Sequence, residues 1–133
     1  MITAMKNILI AAFAFMIFSC GPGNSSSDNT LPPGAFNDAL KADNEIILLD
    51  VRSPEEVTAG FIERAENMNY NDEGFSSSLD NLDHSKKYFV YCASGKRSGK
   101  AADLMEEKGF TNVTTLEGGF NAWKATGLPV KTN

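Results

Sequence analysis

The stretch Tyr88-Phe89-Val90-Tyr91-Cys92-Ala93-Ser94-Gly95-Lys96-Arg97-Ser98 joins an apolar run to a short polar loop. Its first four residues are aromatic or β-branched and predict a strand that is buried on both faces. Residues 97–108 then carry apolar side chains at helical spacing, so we expect a helix to begin directly after the loop. A strand that leads through a tight loop into a helix is typical of a parallel α/β sheet. Ligands bind such sheets at the carboxyl ends of the strands.

The alternation of strand and helix continues on both sides of this stretch. Residues 46–51 predict a second buried strand, and the sequence Ser53-Pro54-Glu55-Glu56 after it predicts a helix cap. Further helices are expected around residues 36–40, 75–82 and 119–126, and further strands at residues 65–68 and 113–116. The chain is therefore predicted to adopt an α/β fold, a mostly parallel central sheet with helices on both faces. This domain is expected to span residues 35–131.

Composition excludes several classes of function. The 133 residues suffice for one domain, and 17 acidic against 12 basic residues give a net charge of −5, which argues against nucleic-acid binding. Two cysteines, Cys20 and Cys92, are too few for a disulfide scaffold or a structural zinc site. The single histidine, His84, is expected in a surface loop, so histidine-based metal and triad chemistry is disfavoured. We expect neither a metal site nor a cofactor.

The N-terminus predicts export. Lys6 precedes the eleven-residue apolar run Ile8–Phe18, which is shorter than the roughly 20 residues that a transmembrane helix needs. Because Ser19-Cys20 follows, residues 1–19 resemble a bacterial lipoprotein signal, although Phe18 is bulkier than is usual there. The resemblance implies a lipid anchor on Cys20 and a location in the cell envelope, periplasmic or associated with the outer membrane. An ordinary cleaved signal and an uncleaved membrane anchor are the alternatives.

Residues 20–34 are rich in glycine, proline, serine and asparagine. Such a segment has little apolar surface to bury, so it is predicted to be a flexible tether behind the lipidated cysteine. If Cys20 carries lipid, Cys92 is the one thiol that remains, and an intramolecular disulfide is excluded.

The residues around Cys92 favour a thiolate. Backbone N–H groups of a tight loop, the positive end of the following helix and the charges of Lys96 and Arg97 all lower a thiol's pKa from about 8.5. The loop can therefore produce a nucleophile without a histidine base. The alternative is a buried core cysteine with basic neighbours.

Three motifs stand out along the chain: Asp50-Val51-Arg52-Ser53-Pro54-Glu55-Glu56 with Gly60-Phe61-Ile62 and Ala65; Cys92 to Ser98; and Gly118-Gly119-Phe120 with Trp123 and Gly127-Leu128-Pro129-Val130. Together they cover about residues 35–130, and in this order and spacing they resemble the rhodanese-like sulfurtransferases. The family usually has histidine where this chain has Phe61.

The resemblance implies a rhodanese-like fold in which Cys92 is the catalytic nucleophile. It would take sulfane sulfur from a small anionic donor such as thiosulfate, form a persulfide, and pass the sulfur to a thiol or to cyanide. Lys96 is the better candidate for donor contact, whereas Arg97 either contacts the donor or turns back to a carboxylate that fixes the loop. A monomer is expected. The loop residues implied to bind substrate are Ala93, Ser94, Gly95, Lys96, Arg97 and Ser98.

Other interpretations stay open. Phosphatases and arsenate reductase-like enzymes also use cysteine loops, but the related phosphatases have one residue more between cysteine and arginine than the four found here. A non-catalytic rhodanese module would serve in binding, and a redox relay would need a partner's thiol. Asp50 and Arg52 are expected to form a structural ion pair or lie at the surface rather than act in the site. Phe120 and Trp123 are expected in the core or at its rim.

Overall fold

The computed structural model of the chain describes residues 29–133. Five strands alternate with five helices along this part of the chain. In chain order the elements are β1 (Thr30–Leu31), α1 (Pro33–Ala42), β2 (Ile47–Asp50), α2 (Pro54–Thr58), β3 (Glu66–Asn67), α3 (Phe75–Asp80), β4 (Tyr88–Tyr91), α4 (Lys96–Glu107), β5 (Val113–Leu116) and α5 (Gly119–Ala125).

The strands form one sheet in the order β1-β5-β4-β2-β3, and every pair in it is parallel. β4 lies in the centre, with Leu49 of β2 opposite Val90 and Thr115 of β5 on its other side. All four residues of β4 are buried, as expected for a parallel strand that is covered on both faces. The predicted α/β fold is confirmed.

The two faces of the sheet bury two separate apolar clusters. Because side chains alternate along a strand, Phe89 and Tyr91 lie in one cluster and Val90 and Cys92 in the other. The Phe89 side of the sheet packs against α1 and α5, which contribute Phe36 and Trp123. The Val90 side packs against α3 and α4. Phe120 and Trp123 belong to the core, as expected.

The first strand and the first helix begin before the predicted domain boundary at residue 35. Composition predicts that residues 30–34 belong to the tether, but Thr30 and Leu31 pair with Thr115 and Leu116, and α1 already begins at Pro33. The hydroxyl groups of Thr30 and Thr115 lie 2.9 Å apart, and these contacts with β5 are invisible in local composition. Proline and glycine occupy the first turn of a helix here, where proline has no N–H to lose.

Several predictions for the N-terminus lie outside the described residues: the signal at residues 1–19, the lipidated Cys20 and the tether at residues 21–28. Within residues 29–133, no helix is long and apolar enough to span a bilayer.

Candidate active site

Cys92 follows the last residue of the central strand β4 and is completely buried. Its Sγ accepts a hydrogen bond from the backbone N–H of Gly95 at 3.1 Å and lies 3.4 Å from Oγ of Ser98. Burial raises the pKa of the Cys92 thiol, but hydrogen bonds from Ser98, Gly95 and Ser94 together outweigh burial and lower that pKa. The loop therefore stabilises a thiolate by N–H and O–H donors.

Gly95 makes the tight turn of this loop possible. It precedes α4 with a φ of +100°, a left-handed conformation that glycine adopts without strain. The turn brings the Gly95 N–H onto the sulfur three residues earlier and leads directly into Lys96, the first residue of α4.

The Ser98 hydroxyl has two acceptors for one proton. It donates to the carbonyl oxygen of Gly95 at 3.2 Å and also lies within reach of the Cys92 sulfur. When Cys92 carries its proton, the thiol can donate to Oγ of Ser98. When the sulfur is a thiolate, the Ser98 hydroxyl donates its hydrogen bond to the sulfur in preference to the Gly95 carbonyl oxygen, since hydrogen bonds to ionised acceptors are the stronger ones.

The N-terminus of α5 donates backbone hydrogen bonds to the start of the Cys92 loop. The backbone N–H of Phe120 donates to the carbonyl oxygen of Cys92 at 2.8 Å, and that of Asn121 donates to Ala93 at 3.0 Å. Gly119 has a φ of +62°, and a Cβ built on it would lie 2.6 Å from the Cys92 oxygen. The sequence identifies Gly118-Gly119 as part of a motif, but the reason for the second glycine, close approach to the loop, is visible only in the structure.

Arg97 binds Glu56 of α2. Its Nη1 and Nη2 donate to the two carboxylate oxygens of Glu56, each at 2.8 Å. These hydrogen bonds, together with those between Glu56 and Ser53, lower the pKa of Glu56 to about 2. Of the two roles considered for Arg97, the structure shows the contact with a carboxylate. The sequence indicates only a helix cap at Glu56, because nothing local shows that α2 lies beside the Cys92 loop.

Glu56 also caps its own helix. Oε2 of Glu56 accepts from the Ser53 N–H at 3.0 Å, and Oγ of Ser53 accepts from the Glu56 N–H at 3.3 Å. This is the predicted capping box. The carboxylate that binds Arg97 is therefore fixed to the first turn of α2.

Asp50 and Arg52 form a buried ion pair, with side chains 0% and 4% exposed. Nη2 of Arg52 donates to Oδ2 of Asp50 at 2.6 Å and to the carbonyl oxygen of Gly60 at 2.7 Å, and the guanidinium lies 4.3 Å from the Phe120 ring centroid. Burial lowers the pKa of Arg52, but the contacts with Asp50 outweigh burial and raise it. Of the two positions expected, the structural pair is observed and the surface position is not.

The remaining site candidates lie at the surface of the loop. Lys96 and Ser94 are exposed, while Ala93 is half-buried. His84 is half-buried and stacks on Phe110 at 4.2 Å between ring centroids, in a loop before β4. Among residues 29–133 no group of acidic, cysteine and histidine side chains is arranged to hold a metal ion.

A family model described as "Rhodanese-like domain" matches residues 33–126, which include the whole Cys92 loop. The chain belongs to the rhodanese-like family. The rhodanese domain is 36% identical over 95 residues to the "Putative sulfurtransferase YtwF" of Bacillus subtilis, covering 71% of this chain and 89% of that protein.

Two further comparisons agree. The chain is 39% identical over 93 residues to "Thiosulfate sulfurtransferase 16, chloroplastic" of Arabidopsis thaliana, covering 62% of this chain and 78% of that protein. The crystal structure of a rhodanese-related protein from Thermoplasma volcanium superposes with a TM-score of 0.70 and 28% identity, covering 79% of this chain and 99% of that one. The chain therefore has the rhodanese-like fold, and proteins to which it is similar are named as sulfurtransferases.

Proposed function

We propose that this rhodanese domain is a sulfurtransferase that moves sulfane sulfur through a persulfide on Cys92. The observation that carries the proposal is the pair of donors on Sγ, the Gly95 N–H and the Ser98 hydroxyl, at the carboxyl end of the central strand. A thiolate is the nucleophilic form of cysteine, and these donors favour it over the thiol.

In the first half-reaction, the Cys92 thiolate attacks the outer sulfur of thiosulfate. A bond forms between the two sulfurs, the sulfur–sulfur bond of thiosulfate breaks, and sulfite leaves with the electron pair. In the second half-reaction, cyanide or a thiolate attacks the terminal sulfur of the persulfide. The bond to Sγ breaks, thiocyanate or a new persulfide leaves, and the Cys92 thiolate is restored. No external oxidant or reductant is needed.

Binding of the anionic donor falls to the loop N–H groups and to Lys96. Both terminal nitrogens of Arg97 already donate to Glu56, so the guanidinium of Arg97 is committed to a carboxylate. Lys96 is exposed at the first position of α4, where its charge adds to that of the helix N-terminus. We assign the donor contact to Lys96 and treat Arg97 as a support of the loop.

The test is intact mass after incubation with thiosulfate, for residues 21–133 and for the same chain with Cys92→Ser. The expected result is one added sulfur on the parent, none on the variant, and release of that sulfur by cyanide as thiocyanate. If the parent forms no sulfur adduct with thiosulfate and none with a polysulfide, the proposal is overturned. A phosphatase assay on the same samples would then test the related cysteine-loop chemistry, and a binding role would be the remaining alternative.

We also propose that the domain is held in the cell envelope by lipid on Cys20. The support is the sequence around Cys20, a small residue before a cysteine after a short apolar run. The test is the mass of the full chain extracted from membranes of a bacterial host. Removal of residues 1–19 with a lipid-sized increase on Cys20 is expected, and Cys20→Ser should abolish the increase. An unlipidated chain in the soluble envelope fraction would contradict the anchor.

A further inference from the structure

We infer that Glu56 is a positioning residue for the sulfur-transfer loop and acts through Arg97. The role rests on the proposed function, since the loop that it holds is the one that carries Cys92. Glu56 does not touch the sulfur. It belongs to α2 and lies 41 residues before Arg97 in the chain, and its contact with Arg97 is an ion pair that joins α2 to α4.

Arg97 and Glu56 form a bidentate ion pair. Two parallel hydrogen bonds of 2.8 Å fix the plane of the guanidinium as well as its distance. Both partners are partly shielded, with side chains 24% and 36% exposed. A single-point contact from lysine would leave the orientation free, so the planar pair restrains Arg97 more strongly.

The carboxylate itself is held in place by its own helix. The Ser53 N–H donates to the same Oε2 that receives Nη1 of Arg97, and Ser53 binds the backbone of Glu56 in return. The capping box therefore restrains the Glu56 carboxylate at the first turn of α2, more strongly than an unpaired surface glutamate would be restrained. Holding Arg97 at this carboxylate fixes the first turn of α4.

The first turn of α4 carries the groups that stabilise the thiolate. Arg97 stands between Gly95, whose N–H donates to Sγ, and Ser98, whose hydroxyl lies 3.4 Å from Sγ. Because Gly95 and Ser98 lie within two residues of Arg97, we expect a shift of Arg97 to move both through the backbone. Loss of either donor raises the pKa of Cys92, because each favours the charged form.

A positioning role and a charge effect predict opposite shifts in the pKa of Cys92 for Glu56→Gln, and the same shift for Arg97→Gln. If the pair acted through charge alone, Glu56→Gln would leave the positive charge of Arg97 uncompensated and lower the pKa of Cys92. Arg97→Gln would leave the negative charge of Glu56 and raise it. If the pair positions the loop, both substitutions loosen the same donors and both raise the pKa. Other charged groups also lie near the loop. Lys96 begins α4, Asp50 and Arg52 are paired with each other, and Asp103 and Glu117 line a cavity with Ser94 and Gly95. All of them are unchanged in each variant.

The experiment follows the rate of Cys92 alkylation by iodoacetamide against pH in the parent, Glu56→Gln, Arg97→Gln and the double variant. We expect the midpoint to move to higher pH in all three variants, with the double variant no further than Arg97→Gln alone. Glu55→Gln is the matched control, because Glu55 is the exposed neighbour of Glu56 on the same helix. It should leave the profile unchanged. Midpoints that move in opposite directions, or do not move, overturn the positioning role.

Turnover gives the second readout. With thiosulfate and cyanide, each single variant should lose about 10-fold in kcat/KM and the double variant about the same, rather than about 100-fold, since the two residues act as one unit. A role confined to capping α2 would give independent, additive losses. Arg97→Lys keeps the positive charge but cannot form the bidentate pair, so its kcat/KM should also fall. This variant replaces Arg97→Gln in the experiment if the glutamine variant does not fold.

The two proposals fail separately. If the parent forms no persulfide yet both glutamine variants move the alkylation midpoint upward, the sulfurtransferase function fails and Glu56 still positions the Cys92 loop. If the parent transfers sulfur and the variants show no coupling, the function stands and the role of Glu56 is overturned.

Discussion

A methyl group on Gly119 would lie 2.6 Å from the carbonyl oxygen of Cys92, closer than non-bonded atoms approach. The glycine is thus the condition under which α5 can bind the loop, since the next N–H, that of Phe120, donates to this same oxygen at 2.8 Å. The Cys92 loop is therefore held by a helix that follows it in the chain, and the contact depends on the close approach of the two backbones.

Replacing Gly119 by alanine should destabilise the domain and disturb the loop. The left-handed backbone and the clash with Cys92 together should reduce the free energy of unfolding by about 3 kcal/mol or more. Urea unfolding measures this loss. The matched control is Gly127→Ala, at a φ of +77°, where the added methyl group would have nothing within 4 Å, and it should cost about 1–2 kcal/mol. Equal losses in both variants would contradict the close-approach argument.

Replacing Ser98 by alanine should raise the pKa of Cys92. The substitution removes the hydroxyl that lies 3.4 Å from Sγ, and the burial that raises the pKa remains. The pH profile of iodoacetamide alkylation should therefore move to higher pH. Ser94→Ala is the control, since it keeps the backbone N–H that favours the thiolate and changes an exposed side chain. A profile that moves as far in Ser94→Ala would argue against a specific role of the Ser98 hydroxyl.

Asp50→Asn should be strongly destabilising. It leaves the guanidinium of Arg52 buried without its counter-charge, which costs about 3–5 kcal/mol in a site of this kind. Denaturant unfolding checks the value. Asp80→Asn is the comparison. It breaks the ion pair between Asp80 and Lys108, in which the Asp80 side chain is 60% exposed, and should reduce the free energy of unfolding by about 1 kcal/mol or less. A small loss at position 50 would show that water or a rearranged Arg52 compensates the charge.

The contribution of Glu56 to stability should disappear in acid. Its pKa is lowered to about 2 in the folded protein from an ordinary value of 4.5, so its stabilising effect is present above pH 4.5 and is lost as the pH falls toward 2. The difference in unfolding free energy between the parent and Glu56→Gln should therefore be largest above pH 4.5 and shrink below it. Glu55→Gln should show no such narrowing. A difference that stays constant down to pH 2.5 would refute the lowered pKa.

Lys96→Gln should raise the KM for thiosulfate severalfold with little change in kcat, because the lysine attracts the dianion before the chemical step. The KM of the variant should also depend less on ionic strength. Lys100→Gln, one turn further along α4, removes the same charge away from the loop and is the control. Steady-state kinetics at low and high salt test this. Equal effects of the two variants would indicate general attraction to the surface instead of donor contact.

Most of the fold follows from local patterns. The run of residues 46–51 and the strand before Cys92 are apolar without alternation, which indicates strands covered on both faces, and both are observed. The cap at Ser53 was also predictable, because its side chain and that of Glu56 interact within one helical turn. β1 was not, since Thr30 and Leu31 become a strand only through pairing with β5.

The sequence indicates the Cys92 loop as a candidate site but does not show which residues support that loop. Cys92 and its loop are contiguous, so the sequence indicates both the candidate nucleophile and its N–H donors. Glu56 and Gly119 reach the loop from other elements, and one sequence holds no distance between segments so far apart. The carboxylate partner of Arg97 was expected in kind but not in position.

The two short strands at the borders of the sheet have a consequence for solubility. β1 and β3 contain two residues each, so among residues 29–133 the sheet offers little unpaired backbone to a strand from another molecule. Long unpaired edges are the template for edge-to-edge aggregation, and short ones are a known protection. We therefore expect many copies of this domain to be able to crowd together without fibril formation seeded by their sheets.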